Sequence, residues 1–277
     1  MKALGIILAG GNSSRMQNLS EKRAISAMSV ACSYRCIDFV LSNMTNSNIQ
    51  TVAVLSQYNA RSLNEHLNSS KWWNFGRKQG GLFLFTPTVT SDNSWWYRGT
   101  ADAMWQNIDF LKKRHEPYVV IASGDCVSKM DFNKILEYHI AKQSDITVVC
   151  AKLPEWEDPK RFGVVKMDME GKILEFEEKP MVAGSDIVST GVYVIRRRTL
   201  IELLEQSNEE GRYNFVTDVL IRQKGLKKIY GYMLDGYWSN IASVDSYYRT
   251  NMDFLKKDIR DYFFHQEPQV YSKSYDL

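Results

Sequence analysis

The chain has 277 residues, of which 44% are hydrophobic and 24% are charged, as in soluble globular proteins whose cores need no disulfide or metal. Its 35 basic and 32 acidic side chains leave a net charge of +3, and the absence of a long basic run argues against a nucleic-acid partner. No stretch approaches the roughly 20 apolar residues of a membrane span. We therefore expect a cytoplasmic protein that binds neither nucleic acid nor membrane.

The four cysteines do not indicate a metal site. Cys32 and Cys36 are close together, but Cys126 and Cys150 do not form a second pair with matching spacing. Structural zinc sites usually need two such pairs. We interpret all four cysteines as reduced thiols.

Short apolar runs alternate with longer amphipathic segments in the first half of the chain, which is typical of βαβ units and a mainly parallel sheet. The predicted strands cover residues 3–9, 51–56, 118–122 and 145–151. The predicted helices cover residues 34–46, 60–67, 100–113 and 132–142. Buried parallel strands are expected to be nearly continuous apolar runs, as residues 52–55 and 119–122 are.

The second half of the chain has a different pattern. Residues 162–167 and 173–176 flank a Met-Glu-Gly turn, which predicts a β-hairpin. Further predicted elements are strands at 190–195 and 228–234 and helices near 200–205, 215–223 and 244–254. Residues 258–277 are aromatic and polar without clear periodicity, so a connector to a further domain and a plain C-terminal tail both stay open.

A glycine-rich loop follows the first predicted strand. Residues 8–16 are Leu-Ala-Gly-Gly-Asn-Ser-Ser-Arg-Met, so Gly10 and Gly11 let backbone N–H groups approach a phosphate without an intervening Cβ. Arg15 adds a planar cation suited to phosphate oxygens. The spacing matches neither a Walker P-loop nor a Rossmann fingerprint. From this segment alone, a phosphate loop and an ordinary turn are both possible.

Four more segments narrow the interpretation. They are Tyr-Arg-Cys-Ile-Asp-Phe-Val-Leu-Ser-Asn at 34–43, Trp-Tyr-Arg-Gly-Thr-Ala-Asp-Ala at 96–103, Ser-Gly-Asp at 123–125 and Phe-Glu-Glu-Lys-Pro at 176–180. With the glycine loop, they resemble in order the glucose-1-phosphate adenylyltransferase (ADP-glucose pyrophosphorylase) family of bacterial glycogen synthesis. The resemblance implies a nucleotide-diphospho-sugar transferase fold, which is an α/β fold of GT-A-like and Rossmann-like type with a doubly wound, mostly parallel sheet. It further implies a nucleotidyltransferase domain at 1–257 and, at 258–277, a connector toward an absent C-terminal left-handed β-helix domain.

The same resemblance implies a reaction and a set of site residues. Members of the family bind ATP and glucose 1-phosphate in one cleft, and the sugar phosphate displaces pyrophosphate to give ADP-glucose. The implied nucleotide-binding residues are Gly10, Gly11, Ser13, Gln57, Gly99 and Thr100. The implied sugar-phosphate-binding residues are Gly163, Glu178, Lys179 and Thr190. Arg15 and Asp125 occupy catalytic positions, and Asp125 and Asn240 occupy the metal-binding positions.

The implied cofactor is Mg²⁺, a hard ion that takes one or two carboxylates together with substrate phosphates. The ion neutralises charge on the phosphates as the bond to pyrophosphate breaks. Without the resemblance, a helix cap or turn residue is the favoured interpretation of Asp125. Glu178 and Lys179 would then be interpreted as part of a surface charge run.

Three positions depart from the family pattern. Ser13 stands where the family has a third loop glycine, and Ile25 replaces a lysine that is directed at the triphosphate. Asn240 replaces the family's second metal-binding aspartate. Removing one preorganised electrostatic contact lowers the rate by roughly 10²–10³, although two losses in one site need not multiply.

With these departures the chain resembles the regulatory, GlgD-type subunit of the family, which implies a weakly or non-catalytic subunit that forms a hetero-oligomer with a catalytic partner subunit. An active adenylyltransferase stays possible, because the amide oxygen of Asn240 can ligate a metal and Lys22 can supply an ammonium. A module that senses a nucleotide or sugar phosphate is the third interpretation.

Two aromatic stretches, at residues 71–75 and 95–97, are compatible with carbohydrate stacking. Tryptophan and tyrosine are also enriched at interfaces. We favour packing or an interface for both stretches.

Overall fold

The computed structural model describes residues 2–76, 80–88 and 96–273. The strands are β1 (Ala3–Leu8), β2 (Ser29–Val30), β3 (Tyr34–Arg35), β4 (Thr51–Leu55), β5 (Gly81–Phe85), β6 (Tyr118–Ser123), β7 (Cys126–Ser128), β8 (Ile146–Lys152), β9 (Gly163–Met167), β10 (Ile173–Glu178), β11 (Ile187–Arg196), β12 (Ile229–Met233) and β13 (Trp238–Asn240). The α-helices are α1 (Cys36–Asn46), α2 (Ala60–Leu67), α3 (Thr100–Gln106), α4 (Ile108–Lys112), α5 (Phe132–Ala141), α6 (Arg197–Glu209), α7 (Val244–Asp253) and α8 (Lys257–Arg260). None of the helices in these ranges is long and apolar enough to cross a membrane.

The strongly patterned elements are close to their predicted bounds. The four strands predicted in the first half are present as β1, β4, β6 and β8, and the predicted hairpin is present as β9 and β10. The helix predicted over 100–113 is divided into α3 and α4 at Asn107, whose φ is −109°. The strands missed by the sequence patterns include β2, β3, β7 and β13, which have only two or three residues each and are too short to show a periodicity.

The chain divides into two compact units. The glycine-loop unit contains Leu4–Thr86, Ala122–Phe132 and Gly236–Leu277. The hairpin unit contains Met1–Ala3, Pro87–Ile121 and Asn133–Asp235.

In the glycine-loop unit, β1, β4 and β5 form a parallel ladder. Gly5 is opposite Val52, and Thr51 is opposite Gly81. Every residue of β4 is buried, which explains its continuous apolar sequence. Beyond the ladder, the N–H of Ala9 donates to the carbonyl of Leu55 at 2.8 Å. The glycine loop therefore starts at the carboxyl ends of parallel strands, where open α/β sheets bind their ligands.

A hydrophobic cluster in this unit joins loop residues to the C-terminal segment. Its buried members are Met16, Ile25, Met28, Val30, Cys36, Phe39, Val127, Ile241, Phe254, Phe263 and Val270. The ring of Phe263 lies 5.4 Å from that of Phe39 and 5.2 Å from that of Phe254, between centroids. Residues 258–273 are thus part of this unit's packing, while the domain boundary at 257 and the connector assignment stay predictions.

Polar contacts also fix the C-terminal segment. The ammonium of Lys129 donates to the carbonyls of Tyr262 and Gln266. The hydroxyl of Ser272 donates to Asp38 Oδ2 at 2.6 Å. Because Asp38 lies in α1, the segment is bound both to this helix and to the end of β7.

Asp38 is the centre of a buried polar group. Its Oδ1 lies 2.6 Å from His66 Nε2, and the two side chains are 0% and 2% exposed. Its Oδ2 accepts the N–H of Arg35 at 2.7 Å, which satisfies the backbone donor of the residue that precedes α1. One carboxylate therefore joins α1, α2 and the C-terminal segment.

In the hairpin unit, β9 and β10 are antiparallel with Gly163 opposite Glu178. Strand β11 pairs antiparallel with β8 and β9, and β12 pairs parallel with β8. A bulge interrupts the β11–β8 pairing between Ser189 and Val192, where Gly191 has a φ of +76°. The parallel ladder, the mixed strands and their helices confirm the predicted α/β class.

Stability should fall as the pH is lowered from 6.5 to 4 because of His139 in α5. Burial, with a smaller effect of the charge of Arg196, lowers the pKa of His139 from 6.5 to about 4. In that pH range the unfolded chain binds a proton that the folded chain does not, so acid favours unfolding, by up to about 3 kcal/mol. Urea unfolding at several pH values measures this loss.

His139→Gln is the matched variant, because its amide can still reach the Thr147 hydroxyl, which lies 2.8 Å from His139 Nδ1. The variant should have a shallower pH dependence between 4 and 6.5 than the unaltered chain. Identical slopes would contradict the account of His139.

Candidate functional site

The glycine loop lies open in the glycine-loop unit. A Cβ placed on Gly11 would meet no heavy atom within 4 Å, and one on Gly10 would come no closer than 3.5 Å, to the backbone of Gln57. Packing therefore does not require either glycine, which leaves room for a ligand's close approach. Arg15 is exposed, and none of the residues that the structure describes pairs with its guanidinium.

The loop is held by its serine and contains a strained residue. The Ser13 hydroxyl donates to the carbonyl of Ala242 at 2.7 Å, so the side chain that replaces the family's third glycine forms a tether. Within the helical turns of Ser14–Ser20, Gln17 has φ +46° and ψ −137°. Such backbone costs on the order of 1–3 kcal/mol and is often found at functional sites.

Asn240 is the last residue of β13, and Asp125 lies in the turn directly before the neighbouring strand β7. Strand β13 pairs antiparallel with β7, with Asn240 opposite Cys126. The N–H of Ile241 donates to the carbonyl of Asp125 at 2.9 Å. The structure thus brings together the two residues for which the sequence predicts metal binding.

The side chains between these two strands form a continuous hydrogen-bond network. Asp125 Oδ1 accepts from the Ser123 hydroxyl at 2.5 Å and from the Cys126 thiol at 3.6 Å. The amide Nδ2 of Asn240 donates to the Cys126 sulfur at 3.6 Å. The amide oxygen of Asn240 accepts the N–H of Ala242 at 3.0 Å.

Cys126 is a neutral thiol in this network. Its pKa is raised well above the ordinary value, first by burial and then by the charge of Asp125, against the hydrogen bond from Asn240. A neutral thiol can donate to the Asp125 carboxylate. Sequence reasoning missed this role of Cys126, and the one available signal was its position directly after Asp125.

The described donors do not fit a Mg²⁺ site. Asp125 is the one carboxylate of the group, and the oxygen of Asn240 is already bonded to a backbone N–H. Across residues 2–76, 80–88 and 96–273, no group of three or more His, Cys, Asp or Glu side chains is arranged to hold a metal ion. Mg²⁺ commonly takes one or two carboxylates together with substrate phosphates, and of the two predicted ligands only Asp125 is a carboxylate, so the pair that would hold the ion is incomplete.

Ile25 points into apolar surroundings. It is 5% exposed and belongs to the hydrophobic cluster, together with Met16 and Val127. Its turn, Ile25–Ala27, adjoins the turn that carries Asp125, because a Cβ on Gly124 would lie 2.8 Å from the Ser26 hydroxyl. The position of the family's lysine is therefore next to Asp125 in the fold, but it carries a buried alkyl group.

In the hairpin unit, Gly99 and Thr100 are packed against the chain around Tyr213. The N–H of Ala101 donates to the Tyr213 carbonyl at 2.8 Å, and the Thr100 hydroxyl accepts the N–H of Phe215 at 2.9 Å. A Cβ on Gly99 would lie 2.3 Å from the same carbonyl oxygen. Gly99 and Thr100 therefore have a packing role in addition to the nucleotide contacts that the sequence predicts.

Gly99→Ala should destabilise the protein by about 1–3 kcal/mol, because the added methyl group forces the two backbone segments apart. Gly11→Ala is the matched control, since its Cβ would meet nothing within 4 Å. We expect Gly11→Ala to leave the urea midpoint unchanged. Equal urea midpoints for the two variants would contradict the close contact between the Gly99 and Tyr213 backbones.

The predicted sugar-phosphate residues in the hairpin unit include a strained lysine. Lys179 has a φ of +48°, and its ammonium lies 3.4 Å from Glu178 Oε1. A Cβ on Gly163 would lie 2.6 Å from Phe176 Cε2 and 3.0 Å from Glu178 Oε2, so this glycine leaves room for both the ring and the carboxylate. Positive φ at a lysine is uncommon and marks a functional-site candidate.

Thr190 has an internal partner. It is 2% exposed, and its hydroxyl donates to the Val149 carbonyl at 2.9 Å beside the β11 bulge. Its predicted sugar contact therefore needs the backbone or a shift of the side chain.

The predicted residues thus form two groups. Those in the glycine-loop unit are Gly10, Gly11, Ser13, Arg15, Gln57, Asp125 and Asn240. Those in the hairpin unit are Gly99, Thr100, Gly163, Glu178, Lys179 and Thr190.

The aromatic stretches are mostly buried where the structure describes them. Trp73, Phe75 and Tyr97 are 0%, 3% and 6% exposed, which supports packing for these three, whereas Trp96 is 66% exposed. Trp95 lies outside the described residues.

Comparisons with known proteins agree with the five motifs. A family model described as nucleotidyl transferase matches residues 4–257. The chain is 38% identical over 275 residues to a glucose-1-phosphate adenylyltransferase of Desulfitobacterium hafniense, covering 98% of this chain and 69% of that protein. It is 36% identical over 276 residues to the Bacillus subtilis protein of the same name, covering 98% of this chain and 72% of the relative.

A solved structure shows the same fold. A crystal structure assigned as a glucose-1-phosphate thymidylyltransferase from Bacillus anthracis superposes with a TM-score of 0.73. The match covers 91% of this chain and 95% of that chain at 20% identity. The nucleotide-diphospho-sugar transferase fold expected from the sequence is confirmed.

Proposed function

Because this chain belongs to the nucleotidyl transferase family, and within it to the glucose-1-phosphate adenylyltransferases, we propose that it is a regulatory subunit of that enzyme. The enzyme converts ATP and glucose 1-phosphate to ADP-glucose and pyrophosphate for glycogen synthesis. In the proposal this chain is weakly catalytic or non-catalytic, and a catalytic subunit in the same hetero-oligomer performs turnover. The proposal includes a cytoplasmic location, where these substrates are present.

The burial of Ile25 carries the proposal. Catalysis needs cationic groups aimed at the triphosphate, because charge shifts toward pyrophosphate as the bond breaks. At this position the chain has an alkyl side chain that is 5% exposed and packed in the hydrophobic cluster. No side-chain rotation at residue 25 can supply the missing ammonium.

The neutral amide at Asn240 supports the same interpretation. Its oxygen accepts from Ala242 and its nitrogen donates to Cys126, so both ends of the amide are engaged within the protein. The site therefore lacks the second charged oxygen that would hold a metal against the phosphates.

The active alternative has two features in its favour. Arg15 is exposed, and its guanidinium has no ion-pair or hydrogen-bond partner among the described residues. Asp125 is only half-buried and retains Oδ2, for which no donor is found in the described part of the chain. An active enzyme would use these two groups, with Lys22 replacing the missing lysine.

The test is to mix the chain with the catalytic glucose-1-phosphate adenylyltransferase encoded in the same genome and to measure pyrophosphate release. We expect the two proteins to co-elute and the mixture to have a changed apparent KM or kcat. Heat-denatured chain at equal concentration is the control. Unchanged kinetics together with separate elution would refute the regulatory role.

A further inference from the structure

Asp125 and Asn240, the two predicted metal-binding residues, are bridged by the thiol of Cys126. The Cys126 thiol donates to Asp125 Oδ1 and accepts from Asn240 Nδ2, at 3.6 Å in each case. Ser123 adds a donor to the same Asp125 oxygen at 2.5 Å. With two donors on Asp125 Oδ1 and a backbone N–H on the Asn240 oxygen, Asp125 Oδ2 is the one oxygen of the pair without a donor in the described part of the chain. A single oxygen binds only weakly a cation that needs near-ideal geometry.

The hydrogen-bond network extends from Asn240 in β13 to the glycine loop. Ala242 donates its N–H to the Asn240 oxygen and accepts the Ser13 hydroxyl at its carbonyl, at 3.0 and 2.7 Å. A cation that recruited the amide oxygen of Asn240 would compete with the Ala242 N–H for that oxygen or share it. Binding a metal there would therefore weaken a contact of the residue to which the loop is tethered.

We propose that this hydrogen-bond network replaces the divalent cation, so that the chain binds its nucleoside triphosphate without a protein-held metal. The inference rests on the nucleotide binding in the proposed function. The phosphates are then held by the N–H groups around Gly10 and Gly11 and by the unpaired guanidinium of Arg15. Such binding is electrostatic at an exposed loop and weakens as salt is added.

The experiment is calorimetric titration of the full chain with ATP, once in excess MgCl₂ and once in EDTA. For the unaltered chain we expect dissociation constants that agree within about threefold. Asn240→Asp places a second carboxylate beside Asp125, and we expect it to bind ATP roughly tenfold or more tightly with MgCl₂ than with EDTA. Asn64→Asp, an exposed change of the same charge in α2, should behave like the unaltered chain.

Electron paramagnetic resonance detects directly whether a divalent metal ion is bound to the protein. With Mn²⁺ and ATP present, the electron paramagnetic resonance spectrum should show protein-anchored Mn²⁺ for Asn240→Asp and none for the unaltered chain. Anchored Mn²⁺ in the unaltered chain, or ATP binding that requires MgCl₂, overturns the inference while leaving nucleotide binding intact. No ATP binding in either buffer overturns both the inference and the nucleotide binding on which it rests.

Discussion

Ile25→Lys combined with Asn240→Asp should raise ADP-glucose synthesis by this chain about 100-fold or more. The double variant restores one cation for the triphosphate and one carboxylate for the metal. Each such contact is typically worth roughly 10²–10³ in rate, and the two act as a unit, so their effects need not multiply. Pyrophosphate release from ATP, glucose 1-phosphate and MgCl₂ measures the gain.

The gain has a structural cost. Residue 25 is 5% exposed and packed among apolar side chains. A lysine there can avoid burying its ammonium only by extending toward the loop, since an unpaired buried charge is strongly unfavourable. We expect the double variant to be less stable by about 1–3 kcal/mol while still folding.

A control variant separates the effect of the lysine's charge from the effect of its longer side chain. Ile25→Met with Asn240→Asp gives a long flexible side chain without an ammonium, and it should recover much less activity than the lysine variant. Equal activity for the two double variants would show that the ammonium is not what the site lacks. A folded lysine variant with no gain at all would contradict the impaired-site account.

Asp38→Ala should destabilise the protein by about 3–5 kcal/mol, because several donors around a buried carboxylate are left without their acceptor. The carboxylate lies 2.6 Å from His66 Nε2 and also accepts from Arg35 N–H and the Ser272 hydroxyl. All three donors would lose their acceptor at once. Urea unfolding of the full chain measures the loss.

Two further variants keep this prediction testable if Asp38→Ala does not fold. Ser272→Ala removes one donor to the carboxylate and should cost about 1.5–3 kcal/mol, the usual range for hydrogen bonds to charged groups. Asp245→Ala removes a surface carboxylate that pairs with Arg249, and it should cost less than about 1 kcal/mol. If Ser272→Ala costs no more than Asp245→Ala, the C-terminal segment is not held by Asp38.

The elements that could be predicted from sequence are those whose side-chain pattern repeats over a full turn or strand. Strand β4 is buried along its whole length, and its five apolar or small residues show this directly. The β9–β10 hairpin was visible from its turn residues. Strands β7 and β13 have three residues each and are stabilised by pairing with one another, which no local pattern records.

The C-terminal segment illustrates the same limit. Phe254, which directly follows α7, and Phe263, in a π-helical turn at Asp261–His265, both pack against Phe39, more than 200 residues earlier in the chain. Neither helical nor strand periodicity describes such a turn. The pair of Asp38 and His66 was also hidden, because its members lie on different helices.

For the candidate site, the sequence identified which residues to examine but not their contacts. Gly10, Gly11 and Arg15 stood out because of their residue types, and Ile25 and Asn240 because they depart from the family pattern. The bonds that engage Asn240 come from Cys126 and Ala242, and only the fold brings Cys126 opposite it. Whether this site can catalyse the reaction depends on those contacts.

The most direct test of the account is pyrophosphate release by this chain alone, with ATP, glucose 1-phosphate and MgCl₂ at saturating concentrations. The account predicts at most weak turnover, about 100-fold or more below that of the Ile25→Lys, Asn240→Asp variant, because Ile25 and Asn240 supply neither the cation nor the second carboxylate. Robust turnover by the chain alone would contradict it and would establish that Arg15 and Asp125 suffice for catalysis.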